Sequence, residues 1–180
     1  MERLTLASAW LGGCSGCHMS FLDMDEWLLE LAAKADYVWG PFVDNKTYPD
    51  EVDIAMIEGA VCNEDNLEVV RHIRKHTKYL ISFGDCAVTG NVTALRNSLN
   101  GTEPVLTRSY QELANMDPSF PSDPGVLPVL RERVFPVHKV VDVDFYIPGC
   151  PPPATRIREV LEALVDGREP KLEANNIKFG

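Results

Sequence analysis

The stretch LTLASAWLGGCSGC, residues 4–17, decides the fold more clearly than any other part of the chain. Its first seven residues, 4–10, are apolar or β-favouring, which predicts a buried strand. Gly12 and Gly13 then predict a tight loop, and this loop carries the two cysteines Cys14 and Cys17. The fold therefore has to account for a cysteine pair placed directly after a buried strand.

Strand-like and helix-like segments alternate through most of the remaining chain. The predicted strands are 36–39, 53–57, 78–83 and 140–147, and the predicted helices are 19–33, 65–76, 87–99 and 154–165. Such alternation predicts an α/β fold with a doubly wound parallel sheet. Six prolines make residues 100–137 a loop-rich excursion, with a short helix near 127–133, inserted before the last strand and helix. We expect residues 1–180 to form a single domain.

Composition and charge exclude several functional classes. The net charge of −10 argues against nucleic-acid binding and against docking to an anionic membrane. No apolar run approaches the roughly 20 residues that a membrane-spanning helix needs. Residues 1–6 pass straight into a strand-like pattern without a signal peptide, so we expect a cytoplasmic protein with no membrane partner.

The cysteines all follow predicted strands, where a parallel sheet would bring them together, and Cys62 lies just past the strand at 53–57. Cys14 and Cys17 follow the first strand, Cys86 follows the strand at 78–83, and Cys150 follows the strand-like segment at 140–147. Loops after parallel strands open on the same carboxyl edge of the sheet. In a cytosolic chain, cysteines are more often metal ligands or redox groups than disulfides. The pattern predicts a four-thiolate metal site.

The spacing favours an iron–sulfur cluster and leaves two alternatives open. One C-x-x-C pair with two distant single cysteines suits a 4Fe–4S cluster, whereas structural zinc usually uses two paired knuckles. A C-x-x-C between a strand and a helix is also the thioredoxin arrangement. Thiol redox chemistry of that kind would leave Cys86 and Cys150 without a role.

Other residues near the cysteines are candidates for tuning or supporting a cluster. Small residues let backbone N–H groups approach the sulfurs. A proline forms a rigid wall beside the last cysteine, and two carboxylates are expected at the same edge of the sheet. These candidates are Gly13, Glu58, Gly84, Asp85, Gly149 and Pro151. Glu58 could bond the cysteine loop, contact a partner, relay protons or simply satisfy its own turn. His18 could tune the cluster or be an ordinary polar residue near a helix start. Cys62 could be an alternative ligand or a redox-sensitive thiol, but it is interpreted as a small buried residue.

Four motifs give the chain a recognisable resemblance. They are LGGCSGCHMSFLD (11–23), IEGAV (57–61), FGDCAVTGN (83–91) and PGCPP (148–152). In this order they resemble the small subunits of NiFe hydrogenases, most closely the soluble NAD-reducing, Hox-type class. The cluster-bearing subunit of respiratory complex I has similar motifs but typically adjacent cysteines at the first site. Two residues separate Cys14 from Cys17, which favours the hydrogenase class.

The resemblance implies a flavodoxin-like domain in which Cys14, Cys17, Cys86 and Cys150 hold one proximal 4Fe–4S cluster. It implies no catalytic residue in this chain, a NiFe-bearing large subunit as partner, and iron–sulfur and flavin diaphorase subunits that bind NAD. No cysteine follows Cys150, so we expect one cluster only. FMN is not expected, because cysteines occupy the phosphate-loop position. The alternatives are a subunit of another NiFe hydrogenase or complex I-like assembly, or a structural zinc subunit.

Overall fold

The computed structural model describes residues 3–172. Its strands are β1 (Leu4–Trp10), β2 (Ala35–Trp39), β3 (Val52–Glu58), β4 (Val61–Asn63), β5 (Thr77–Phe83), β6 (Leu130–Phe135) and β7 (Phe145–Ile147). Its helices are α1 (Gly16–Leu22), α2 (Trp27–Lys34), α3 (Glu64–Lys75), α4 (Asp85–Thr89), α5 (Glu103–Thr107) and α6 (Ala154–Val165). Residues 1–2 and 173–180, which the single-domain prediction includes, lie outside the described residues.

Five parallel strands form the main sheet, in the order β2-β1-β3-β5-β7. Counted within this sheet, the order is 2-1-3-4-5, which is the flavodoxin-like form of the doubly wound fold. The predicted fold class is confirmed. No helix within residues 3–172 is both long and apolar enough to cross a bilayer.

The main sheet has an apolar core on each face. On β3, Ile54 and Met56 point into the core covered by α1, α2 and α6, whereas Ala55 and Ile57 point into the core covered by α3. A strand buried on both faces is continuously apolar, because each face needs its own buried residues. Burying one such isoleucine contributes about 1.5–3 kcal/mol. The carboxyl ends of the strands are thereby held on a rigid frame.

The helix predicted over 19–33 is two helices. Helix α1 ends at Leu22 and α2 begins at Trp27. Between them Asp25 has a φ of 50°, a left-handed conformation that aspartate adopts more readily than most residues. Met24 and Trp27 are both buried in the same core, so the apolar spacing continues across the break. A prediction from apolar periodicity alone therefore merges the two helices into one.

The helix predicted over 87–99 is also divided. Helix α4 begins earlier, at Asp85, and ends at Thr89, and Gly90 follows with a φ of 91°. A left-handed glycine is a common helix end, because it has no Cβ to clash. A 3-10 helix then runs over Asn91–Leu99. The turn at Gly90 directs Asn91 back toward the cysteine edge.

The prediction of a short helix near 127–133 is wrong. Residues Leu130–Phe135 form strand β6, which pairs antiparallel with β4 in a second, two-stranded sheet. Asn97 binds the backbone of Val134 through both atoms of its amide, at 2.9 and 2.7 Å. Arg131 also reaches Glu64 at 2.8 Å. These contacts are distant in sequence, and they override the local preference of the segment.

The strand predicted over 140–147 is shorter than expected. Strand β7 covers only Phe145–Ile147, and a 3-10 turn covers Val137–Lys139. Just before β7, the Asp144 carboxylate accepts the Leu80 N–H at 2.7 Å, and the Asp144 N–H donates to Leu80 O at 2.9 Å. A side chain thus completes the pairing where the strand has not yet begun.

Candidate functional site

The four predicted ligand cysteines all lie at the carboxyl edge of the main sheet. Cys14 lies in the loop after β1 and Cys17 in the first turn of α1. Cys86 lies in α4, directly after β5, and Cys150 follows β7. All four are free thiols; Cys14 and Cys150 are exposed, Cys86 is half-buried and Cys17 is buried. Two ligand candidates are thus open to the surface while one is enclosed.

The thiols are close enough to influence one another electrostatically. Burial raises the pKa of Cys17, and the charges of Glu58, Cys14, Cys86 and Cys150 raise it further. Burial also raises the pKa of Cys86, and Cys150 and Cys14 add to that effect. Within residues 3–172, no three Cys, His, Asp or Glu side chains converge tightly enough to surround a single metal ion. The segments that carry the four thiols nevertheless contact one another at this edge of the sheet.

Gly84 gives the Cys17 sulfur its space. A Cβ at this position would lie 2.1 Å from Cys17 Sγ, so no side chain fits there. Gly84 has a φ of 82°, and its N–H donates to Ile147 O at 2.8 Å. The loop after β5 is consequently fixed against β7, with its open side toward Cys17.

Asp85 joins the loop that carries Cys86 to the loop that carries Cys150. Its carboxylate accepts the Gly149 N–H at 2.6 Å, and its own N–H donates to Gly149 O at 2.9 Å. Asp85 is buried, which strengthens the bonds and makes their loss costly. The two loops are therefore held as one unit.

Hydrogen-bond donors point at two of the sulfurs. Gly16 N–H lies 3.4 Å from Cys14 Sγ, and the Asn91 side-chain amide lies 3.3 Å from Cys150 Sγ. Donors of this kind stabilise sulfur when it carries negative charge. The sequence pointed to glycine backbone donors, whereas Asn91 became visible as a sulfur partner only in the structure.

The remaining residues of the cysteine edge pack closely around the loops. The Trp10 indole N–H donates to Gly13 O at 3.0 Å, which links the end of β1 to the loop of Cys14. A Cβ added at Gly16 would lie 3.3 Å from Cys14 Sγ and 3.9 Å from Pro151 Cβ. Pro151 thus stands beside the first cysteine loop as well as beside Cys150.

Cys62 lies apart from this group. Its sulfur lies 3.1 Å from Asn66 Oδ1 and would be only 2.6 Å from a Cβ on Gly12. Burial raises its pKa and the charge of Arg96 opposes that effect. Cys62 is half-buried, and its sulfur occupies the space beside Gly12.

Glu58 is buried at the end of β3, with 1% of its surface exposed. Its carboxylate accepts the backbone N–H of Cys17 at 3.4 Å and that of His18 at 3.0 Å. It also pairs with His18 Nδ1. On the other side of the ring, His18 Nε2 lies 2.6 Å from Ser8 Oγ, which lies 2.5 Å from the Tyr37 hydroxyl. We call Glu58, His18, Ser8 and Tyr37 the polar chain; no sequence pattern pointed to Ser8 or Tyr37.

Thr89 and Asn91, the weak candidates that the sequence offers for binding FMN, form hydrogen bonds within the protein. Thr89 Oγ1 donates to Asp85 O at 2.9 Å and accepts the Asn91 N–H at 3.3 Å. The Asn91 side chain is directed to Cys150.

The donor set fits an iron–sulfur cluster. Thiolates are the usual ligands of such clusters, and N–H donors to the sulfurs are a usual means of tuning them. Cys14, Cys17, Cys86 and Cys150 are the candidate sulfur donors, and they come from three separate segments of the chain. Gly84 leaves space around Cys17, and Asp85 fixes the other two loops relative to each other.

Comparison with known proteins places the chain among subunits of redox enzymes. A family model described as "NADH ubiquinone oxidoreductase, 20 Kd subunit" matches residues 14–164. The HoxS subunit delta of the NAD-reducing hydrogenase of Cupriavidus necator is 39% identical over 92% of this chain and 80% of the relative. A component of the F420-non-reducing hydrogenase of Methanothermobacter marburgensis is 37% identical over 98% of this chain.

A crystal structure of an NAD⁺-reducing NiFe hydrogenase in the H2-reduced state contains a similar chain. The TM-score is 0.94 and the identity is 41%, and the match covers 99% of this chain and 100% of that chain. The present chain spans only 58% of the length of the Methanothermobacter relative. Both the sequence and the overall fold of this chain are thus similar to those of a chain of an NAD⁺-reducing NiFe hydrogenase.

Proposed function

Because the chain belongs to the family of the NADH ubiquinone oxidoreductase 20 Kd subunit, we propose that it is the electron-transfer small subunit of an NAD-reducing NiFe hydrogenase. The observation that carries the proposal is the arrangement of four free thiols at one sheet edge, on the loops that hold the hydrogenase-like motifs. The 41% identity to a chain of an NAD⁺-reducing NiFe hydrogenase supports the specific class.

Cys14, Cys17, Cys86 and Cys150 would hold one 4Fe–4S cluster. The chemistry that such a cluster supplies when bound is the transfer of single electrons. The chain contributes four sulfur ligands, each of which exchanges its proton for the metal. Gly16 and Asn91 donate hydrogen bonds that favour negative charge on the sulfurs. No side chain of this subunit has to make or break a covalent bond with a substrate.

Exposed apolar side chains around the cysteine loops support docking of a large subunit. We call them the apolar rim: Trp10, Met19, Leu22, Val92 and Leu95. Each is at least 40% exposed, although all five lie on the elements next to ligand cysteines. Interfaces bury apolar and aromatic groups of this kind. The NiFe-bearing large subunit would cover this edge, and a diaphorase module would exchange electrons with NAD in the cytoplasm.

A second candidate is the corresponding subunit of a hydrogenase that does not use NAD. The 37% identity to a component of an F420-non-reducing hydrogenase supports this candidate. Both candidates assign the same four cysteines to the cluster and differ in the final electron acceptor.

The test uses the assembled complex with Cys86→Ala, and with Cys62→Ala as the matched control. We expect Cys86→Ala to abolish H2-dependent NAD⁺ reduction while the large subunit still exchanges deuterium with H2. The control should retain both activities. Normal NAD⁺ reduction in Cys86→Ala would contradict the relay, and absence of NAD⁺ reduction in the parent complex, with another acceptor reduced, would favour the second candidate.

A further inference from the structure

The polar chain is a continuous hydrogen-bonded path through the apolar core. Its four members come from four elements: Glu58 from β3, His18 from α1, Ser8 from β1 and Tyr37 from β2. Ser8 and His18 are 0% and 2% exposed, and Glu58 is 1% exposed. A buried polar group without a partner costs several kcal/mol, so a buried chain of this length has to be well satisfied. Simple packing would be served better by apolar residues in these places.

The hydrogen bonds have one consistent direction when Glu58 is a carboxylate. Glu58 accepts from the backbone N–H groups of Cys17 and His18, so His18 Nδ1 is the donor in the bond to Glu58. With a neutral ring, Nε2 then accepts from Ser8, and Ser8 accepts from the Tyr37 hydroxyl. Every donor in this arrangement points toward Glu58. Bonds in such a series polarise one another, and together they stabilise the negative end.

The surroundings of the chain hold it in this arrangement. The His18 ring packs edge-on against Phe42 and Phe83, with centroid distances of 5.5 and 6.0 Å. Gly40 leaves space for the Tyr37 hydroxyl, because a Cβ there would clash with it. The positions of the ring and the hydroxyl are thus limited by packing as well as by hydrogen bonds.

Glu58 is the member of the chain that acts on the cysteine site. Its carboxylate meets the Cys17 N–H at 3.4 Å, and its negative charge opposes negative charge on the Cys17 sulfur. Reduction adds an electron to whatever the four sulfurs hold. A carboxylate held at this position therefore makes reduction less favourable. The size of this electrostatic effect depends on where the carboxylate is held.

We propose that His18, Ser8 and Tyr37 are positioning residues for Glu58, and that through Glu58 they set the reduction potential at the cysteine site. This inference rests on the proposed function, because it requires a cluster on the four cysteines. It assigns a role to two residues, Ser8 and Tyr37, that lie outside the four motifs and do not touch the cysteines.

The test is a double-mutant cycle, measured as the midpoint potential of the cluster in the assembled complex by EPR-monitored titration. The signal is assigned to this subunit by its loss in Cys86→Ala. We expect Glu58→Gln to make reduction about tenfold more favourable, a change of about 59 mV for one electron. His18→Leu should shift the potential in the same direction. In combination with Glu58→Gln, His18→Leu should add nothing, because it acts through Glu58.

Two conservative variants keep the test decisive even if His18→Leu does not assemble. His18→Asn can still donate toward Glu58, so it should restore the parent potential. Tyr37→Phe removes only the last hydroxyl and should give a smaller shift of the same sign. Tyr79→Phe is the control, since Tyr79 packs against the same core but lies outside the polar chain.

The outcomes separate this inference from the proposed function. Absence of a cluster signal in the parent complex would contradict the proposed function itself. A cluster whose potential changes in Glu58→Gln but not in Tyr37→Phe would overturn the positioning role and leave the cluster intact. Additive shifts in the double variant would also overturn it, because they would mean that His18 acts independently of Glu58.

Discussion

Replacing Gly84 with alanine tests the close approach on which the cysteine site depends. In the structure, the added Cβ would lie 2.1 Å from Cys17 Sγ. Unbonded heavy atoms are comfortable at about 3.5–4.0 Å, so one of the two groups has to move by roughly 1.5 Å. The backbone of Gly84 is held by the bond to Ile147, which means that the Cys17 sulfur is the group displaced. Metal sites tolerate ligand displacements of only about 0.2 Å.

The energy of this substitution has two parts. Gly84 has a φ of 82° and a ψ of 161°, a backbone conformation that essentially only glycine adopts, so an alanine there costs about 1–3 kcal/mol. Forcing one extra methyl group into a packed site costs about 1–3 kcal/mol more. Gly125→Ala is the control for a substitution at positive φ without a steric clash, since Gly125 has a φ of 87° and no atom within 4 Å of the added Cβ.

The assay compares iron, acid-labile sulfide and the reduced EPR signal of the two variants in the assembled complex. We expect Gly125→Ala to match the parent, whereas Gly84→Ala should lose the signal of this subunit together with its iron. If Gly84→Ala keeps the parent's iron, EPR line shape and midpoint potential, then Cys17 is not a ligand held in the space beside Gly84, and the reasoning is refuted.

Three further predictions concern hydrogen bonds and buried side chains. Asn91→Leu removes the donor to Cys150 Sγ; a net hydrogen bond contributes about 0.5–1.5 kcal/mol, so the midpoint potential should fall by roughly 20–60 mV, and an unchanged or higher potential would contradict this. Asp85→Ala leaves the Gly149 N–H without its carboxylate; amide hydrogen exchange at Gly149 should become about tenfold faster or more, and parent-like protection would count against the loop clamp. Burial raises the pKa of Tyr48 to about 12, so the folded state keeps a phenolic proton that the unfolded chain loses above its usual pKa of 10.0. The free energy of unfolding should therefore fall by about 2 kcal/mol as the pH rises from the lower to the higher of these pKa values. Tyr48→Phe should reduce that loss measurably.

Much of the fold could be predicted from local patterns in the sequence. Strand β1 and helix α6 have the predicted bounds, because each has a clear apolar pattern and distinct ends. The divided helices escaped prediction for different reasons. Asp25 breaks the first without a glycine or proline to mark it, and Gly90 was visible in the sequence but its effect on the chain direction was not. Strand β6 depends on Asn97 and β4, which are distant in sequence.

The candidate site divides in the same way. Cysteine spacing and the rule for parallel strands were sufficient to bring four thiols to one edge, because both depend on chain order alone. The polar chain could not be found from the sequence. Ser8 lies in the middle of an apolar strand and Tyr37 in a short second strand, and nothing in their spacing relates them to Glu58. Their connection through His18 requires the packed structure.

The most direct test of the central claim is a comparison of five single variants of the anaerobically purified complex, Cys14→Ala, Cys17→Ala, Cys62→Ala, Cys86→Ala and Cys150→Ala. Iron and acid-labile sulfide are measured in each, with an EPR spectrum after reduction. The proposed ligand set predicts that four variants lose the signal of this subunit and about four iron and four sulfide per complex. It predicts that Cys62→Ala retains all of them. The ligand assignment would be contradicted if Cys62→Ala lost iron while any one of the other four variants retained it. Zinc in place of iron in the parent complex would also contradict it.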